Sequence, residues 1–241
     1  MVPQRSLIYR VGKSWRPTID RALSAHSKVG DQPVMDTAQF PWTAALEANW
    51  ETIAAEARSV LTDLNAIPPL HDISPDHRRI AEPDNWRSFF LWGYGYRMEE
   101  NCARCPQTER LLANVPGLNS AFFSILKPGA HIPRHRGVTK AIMTCHLGLV
   151  TPRSGRCEMQ VADQFVSWRE GRCLIFDDTY HHEVWNETDE VRVVLLIQFK
   201  RPIRQPGKLL GDLFLAGVKH SPFVQEAKRN LYVWKDAAKA D

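Results

Sequence analysis

The sequence predicts a mainly β protein, a sandwich or barrel of jelly-roll type with helices before and after it. Three observations carry this. From Ser120 onward, short β-type runs (121–126, 141–150, 157–161, 164–168, 172–176, 181–185 and 191–199) alternate with turn material such as Lys127-Pro128-Gly129, Glu170-Gly171 and Asn186 to Asp189. Outside that region the apolar residues recur at helical spacing instead. Eight Trp and sixteen Pro are many for 241 residues, and they suit a β-rich chain with tight connections.

Taken in order, residues 1–40 mix charges with Gly and Pro and read as an irregular wrap, the first part of an N-terminal helical wrap over 1–80. Leu46, Trp50, Ile53, Ala54, Ala57, Val60 and Leu61 predict one amphipathic helix from Thr43 to about Leu64, ended before Pro68-Pro69. Trp86 to Tyr96 is aromatic-rich and reads as a strand. Residues 106–113 read as a short helix, with Pro106 near its start. The β core then spans about 86–201. A tail over 205–241 carries one or two amphipathic helices within 208–235, and residues 1–241 read as one domain.

Composition narrows the function. Hydrophobic residues make up 44% and charged residues 24%, which excludes wholesale disorder. The 31 Lys and Arg exceed the 27 Asp and Glu by only four, too few for a nucleic-acid footprint. No apolar run approaches the length of a membrane span; the longest is Val193 to Ile197. The first residues lack a signal-peptide core, so a cytoplasmic location is expected. Five Cys, an odd number, fit a reducing compartment, and the lone Cys102-Ala103-Arg104-Cys105 pair reads as ordinary thiols ahead of zinc or redox use.

The chemistry concentrates in the β region. His135, His146 and His182 stand at positions from which a jelly roll can bring distant residues into one barrel mouth. His181 and His182 point to opposite sides of a strand, so only one can face inward. Spacing alone leaves metal binding and satisfied histidines both open. Arg192 enters a very apolar strand on the face of Val194 and Leu196. Either a carboxylate meets it inside, or it snorkels to solvent beside Asp189 or Glu190.

The stretches 123–137, 145–152 and 167–196, with Asn85-Trp86 and Cys105 to Thr108 upstream, closely resemble the aspartyl/asparaginyl β-hydroxylase family. The likeness runs from about Asn85 to Arg201 and is faint over 1–80. The resemblance implies a double-stranded β-helix and an Fe(II)- and 2-oxoglutarate-dependent dioxygenase that uses O₂. It assigns His135 and His182 as iron ligands. Gly137 stands where many such dioxygenases carry a third, acidic ligand, and this family shares the omission. Lipid A hydroxylases usually keep an Asp there. Asp178 matches a family carboxylate that holds an iron-bound water.

For 2-oxoglutarate, the resemblance points to Ser124 and Arg192 at the distal carboxylate and His146 at the proximal one. Thr144 stands where family members often carry Arg, leaving His146 with a water, or Lys140 from a shifted register, for that end. Trp86 matches an aromatic near the substrate, or is a packed core residue. The expected substrate is a peptidyl or free Asp or Asn, or a small carboxylate, hydroxylated at an unactivated C–H such as the β-carbon. Arg134, Arg136 and Arg153 would give an acidic substrate a cationic rim. The alternatives are a cupin-like binding or sensor protein, a cupin enzyme using metal alone, a 2-oxoglutarate-dependent halogenase and a lipid hydroxylase.

Overall fold

The long strands of the chain are apolar on both faces, and that requires a sheet covered on both sides. The computed structural model describes residues 7–74, 78, 80, 82 and 84–237. Its strands are β1 (Val34–Met35), β2 (Trp86–Gly93), β3 (Tyr96–Arg97), β4 (Leu118–Leu126), β5 (His131–His135), β6 (Ile142–Val150), β7 (Cys157–Val161), β8 (Gln164–Val166), β9 (Cys173–Phe176), β10 (His182–Asn186) and β11 (Arg192–Lys200). The helices are α1 (Leu7–Ala25), α2 (Thr43–Ala48), α3 (Trp50–Leu61), α4 (Leu70–Ile73), α5 (Glu99–Arg104), α6 (Pro106–Leu112), α7 (Gly207–Lys219) and α8 (Pro222–Ala237).

Two antiparallel sheets result. A seven-stranded sheet runs β1-β9-β6-β11-β4-β2-β3, and a four-stranded sheet runs β5-β10-β7-β8. Alternation along the strands sorts their side chains into two layers. Phe122, Leu126, Val194 and Leu196 of the large sheet pack with Met159, Val161 and Val184 of the small one, forming the inside of the jelly roll. Phe123, Ile125, Val193, Leu195 and Ile197 point the other way, against Ile53, Ala54 and Ala57 of α3 and Leu112 of α6. The large sheet is therefore the middle layer, with helices outside it. Any site lies between the two sheets.

Several elements depart from the sequence reading. The irregular wrap over 1–40 contains the 19-residue α1, with Pro17 inside it. An internal Pro, with Gly12 and scattered charges, argues against a helix locally. Packing overrides this, because Ile19 and Leu23 join Ala141, Ile203 and Leu215 in a small separate core. The helix expected over 43–64 is broken at Asn49, whose side chain bonds back to Ala45 O at 2.8 Å, so α2 and α3 are separate. The run 86–96 forms β2 and, after a turn, β3. Residues 131–135, outside the runs read as strands, form β5; Pro133 is tolerated because β5 is an edge strand.

Cys102 and Cys105 lie in the core beside α5 and α6, fully buried. Burial pushes their thiols up to about 11 and about 12, which keeps them protonated and inert.

One glycine marks how tightly the large sheet is closed. A Cβ on Gly148 of β6 would sit 2.3 Å from the carbonyl oxygen of Arg169, a backbone atom that cannot swing aside. Gly148→Ala should cost about 1–3 kcal/mol, read as a lowered urea midpoint with an unchanged slope.

Candidate active site

The two strands that carry the expected metal ligands are neighbours. His135 ends β5 and His182 opens β10, and they are direct partners in the register of the small sheet. Their ring centroids are 4.1 Å apart. His181, one residue earlier, is exposed, whereas His182 faces the interior at 8% exposure. Each of the paired rings uses Nδ1 on a backbone carbonyl: His135 on Pro133 O at 2.8 Å and His182 on Tyr180 O at 3.0 Å. In a neutral imidazole that bond places the proton on Nδ1 and leaves the Nε2 lone pair for another partner. Burial keeps both rings neutral, with His135 pushed down to about 3 and His182 also lowered. This is the donor state a divalent metal requires. Among the described residues no third His, Cys, Asp or Glu joins them in one cluster.

Gly137 explains where the third carboxylate went. A Cβ at this position would lie 2.0 Å from Asp178 Oδ1, so the Asp178 carboxyl fills the space a side chain on residue 137 would take. The Gly137 N–H donates to Asp178 O at 2.6 Å, and the Thr144 hydroxyl donates to Asp178 Oδ2 at 3.2 Å. Burial, with Asp177 next to it, pushes the Asp178 carboxyl up to about 7.

Deeper between the sheets lies a second constellation. Arg192, at the start of β11, is only 2% exposed, so snorkelling toward Asp189 or Glu190 does not occur. Its guanidinium lies over the ring of Trp168, 4.6 Å from the centroid. Its Nε and Nη1 are buried without a hydrogen-bond partner, and desolvation pulls its pKa down to about 10. His146 of β6 is its neighbour. The Trp168 indole N–H donates to His146 Nδ1 at 3.0 Å, which places the proton of the neutral imidazole on Nε2. That Nε2 is also buried without a partner. Burial and the Arg192 charge hold His146 well below its ordinary pKa.

Here, then, are donors in a closed space with no acceptor opposite them. Buried unpaired donors cost free energy, so a ligand carrying an anionic oxygen fits them and an empty apolar pocket does not. Ser124 of β4 stands two residues before Leu126, the register partner of Arg192, on the same face. Its hydroxyl accepts the Trp86 indole N–H at 2.9 Å. Trp86 is thus part of the interior beside Phe90 and Phe122, anchoring Ser124 from within.

Three features escaped the sequence reading. Trp168 links His146 to Arg192, and its position just beyond a short strand was the signal. Lys140 is not free for a co-substrate carboxylate, because its ammonium is bound to Asp31 and to Asp177. Asp177, fully buried, also takes the Arg201 guanidinium and the Thr179 hydroxyl and N–H. This network holds the turn that presents Asp178 and leads to His182. Arg134, Arg136 and Arg153 are exposed, but Arg153 lies past the end of β6 away from Thr144, with its N–H on Glu190. Arg136 lines a cleft of about 600 Å³ with Pro17, Asp20 and Arg21 of α1, and with Asp31 and Lys140. Arg16 of α1 donates to Gly137 O, so this helix touches the edge of the site.

The jelly roll thus presents a neutral His pair at its mouth with buried, unpaired donors behind it. The sequence comparisons give the family. Residues 47–202 match the profile described as aspartyl/asparaginyl beta-hydroxylase, and the chain belongs to that family. It is a hydroxylase of that type. The match begins well before Asn85 and takes in all of α3. The chain is 39% identical over 211 residues to an ornithine lipid ester-linked acyl 2-hydroxylase of Rhizobium tropici, covering 87% of this chain and 75% of that one. It is 32% identical to the human aspartyl/asparaginyl beta-hydroxylase over 67% of this chain, but only 21% of the human protein's length. Human aspartate beta-hydroxylase domain-containing protein 2 is 39% identical over 48% of this chain and 34% of its own. A solved cupin domain of an Enterobacter cloacae regulator aligns with 48% of this chain and 97% of its own, at 14% identity and a TM-score of 0.33, too slight to add to the strand pairings.

Asp177→Ala should cost about 3–5 kcal/mol, because Arg201 is left buried and uncompensated. Asp31→Ala, removing an exposed partner of the same Lys140, should cost under about 1 kcal/mol. Chemical denaturation of the two variants side by side checks the contrast.

Proposed function

We propose that the protein is an Fe(II)- and 2-oxoglutarate-dependent dioxygenase that hydroxylates an unactivated C–H bond. The observation that carries this reading is the set of buried donors on Arg192 and His146 that lack an acceptor. A dicarboxylate supplies acceptors at both. His135 and His182 would hold the metal through Nε2, and Ser124 and Arg192 would clamp the distal carboxylate of 2-oxoglutarate. His146 Nε2–H would donate to the proximal one, without help from Lys140, which is bound to Asp31 and Asp177. When bound, iron with O₂ and 2-oxoglutarate supplies the oxidising power, the co-substrate leaving as succinate and CO₂ and the substrate carbon gaining a hydroxyl. Asp178, held by Thr144 and Gly137, would accept from a water beside the metal. A carboxyl in that cradle also opposes binding of halide, which counts against a halogenase.

For the substrate, the extents of the alignments favour an acyl lipid. The Rhizobium match covers 87% of the chain, more than residues 1–202 or 47–241 would supply, so it extends beyond the family profile on both sides. The human aspartyl/asparaginyl match covers 67%, about the extent of the profile itself. The flanking segments are thus shared with a relative named for a lipid. A peptidyl or free Asp or Asn is the second reading, supported by the family description.

Anaerobic addition of Fe(II) and 2-oxoglutarate should give a charge-transfer band, and admitting O₂ should give succinate. A cupin-like sensor would give no succinate, and a metal-only enzyme would show no dependence on 2-oxoglutarate. His135→Ala and His182→Ala should reduce succinate to background, while His181→Ala keeps it near wild type. Arg192→Met should raise the KM for 2-oxoglutarate about 10- to 100-fold, since it removes hydrogen bonds to a charged group. Without co-substrate the same variant should melt no lower than the wild type, and 2-oxoglutarate should no longer raise its Tm.

A further inference from the structure

The usual burial of large apolar side chains is reversed on one helix. Of the six large apolar side chains left exposed among the described residues, three lie on α7: Leu209 at 57%, Leu210 at 36% and Leu213 at 64%. Their spacing of three and four puts them on one side of the helix, and Ala216 and Gly217 continue that side one turn on, also exposed. The opposite side is made of glycine. Gly207 packs on His26 and Ile203, and Gly211 on Leu23, Ala141 and Ile203. The helix thus lies close to the body on its glycines and Leu215 and turns Leu209, Leu210 and Leu213 to the outside.

Charge singles out the same layer. Helices α1, α7 and α8 together hold nine Lys and Arg against four Asp and Glu; the rest of the chain holds 22 against 23. Among the described side chains these helices hold Arg16, Arg21, Lys208, Lys219, Lys228 and Arg229 against Asp20, Asp212 and Glu226, so cations outnumber anions there. Leu215 of α7 packs with Ile19 and Leu23 of α1, so the helices adjoin. A leucine face within a cationic layer suits a surface that is both apolar and anionic. A second copy of the chain would bring like charge against like charge. No helix is long and apolar enough to cross a membrane, among the described residues, so contact would be peripheral.

We propose that α1, α7 and α8 form the face by which the protein docks on an anionic lipid bilayer, α7 inserting Leu209, Leu210 and Leu213. This rests on the lipid reading of the substrate and gives it a route. Helix α1 reaches from this layer to the rim of the site, where Arg16 meets Gly137 and the cleft beside Arg136 opens. A lipid leaving the bilayer along α1 would reach Gly137, two residues from His135.

The test is co-sedimentation of the full chain with vesicles of phosphatidylglycerol and phosphatidylcholine, or of phosphatidylcholine alone. The wild type should pellet with the anionic vesicles only, and high salt should release it. The triple variant Leu209→Ser, Leu210→Ser, Leu213→Ser should bind about tenfold more weakly or less, with its succinate formation from 2-oxoglutarate unchanged. A wild type that stays in the supernatant, a triple variant that pellets equally, or a wild-type dimer that the triple substitution dissociates would each overturn the proposal. Because vesicle binding and succinate formation are read separately, loss of succinate in the wild type falls on the dioxygenase reading and not on the docking face.

Discussion

The buried carboxylate of Asp177 holds together parts of the chain that are otherwise far apart. Arg201 comes to it from just beyond β11, Lys140 from just before β6, and Thr179 from its own turn, while its backbone N–H reaches Pro33 O. An isolated carboxylate would be very costly in this interior, so the three cationic and hydroxyl groups are bound to it in return. The geometric result matters more than the energy. With Asp177 pinned, the next residue has one place to go, against Gly137, and the strand that follows must begin with His182 facing inward. The spacing of the histidine pair therefore depends on a residue that touches neither of them.

Against that satisfied network stands an unsatisfied one. Arg192 and His146 are as deeply buried as Asp177, yet their donors point at no acceptor. Aromatic contacts hold both in place: Trp168 accepts the guanidinium on its face and gives its N–H to the imidazole. The fold thus spends stability on keeping two groups ready, in orientations fixed before any ligand arrives.

The β core was legible because its signals are local and repeated. Alternation and turn residues mark β4, β6, β7, β9 and β11 one by one. The strand β5 was hidden by Pro133 and by polar neighbours, which only an edge position makes acceptable. Helix α1 was hidden because its sequence carries a proline and its stability comes from a contact with Ile203 and Leu215, nearly two hundred residues away. The site followed the same division. His135, His182 and Arg192 are recognisable from motif and strand context. The direction of Lys140, the role of Trp168 and the bond from Thr144 to Asp178 are products of tertiary placement, and no local pattern encodes them.

The cradle at Gly137 also bears on how such sites change over evolutionary time. A three-ligand centre has its acid on residue 137; here the acid stands across the gap, on another turn, and fills the volume that side chain would need. Even alanine at 137 collides with Asp178, and vacating Asp178 first leaves the cradle without a carboxylate. Residues 137 and 178 therefore constrain one another: a side chain at the first requires the carboxyl of the second to move, and the two positions change most easily as a pair.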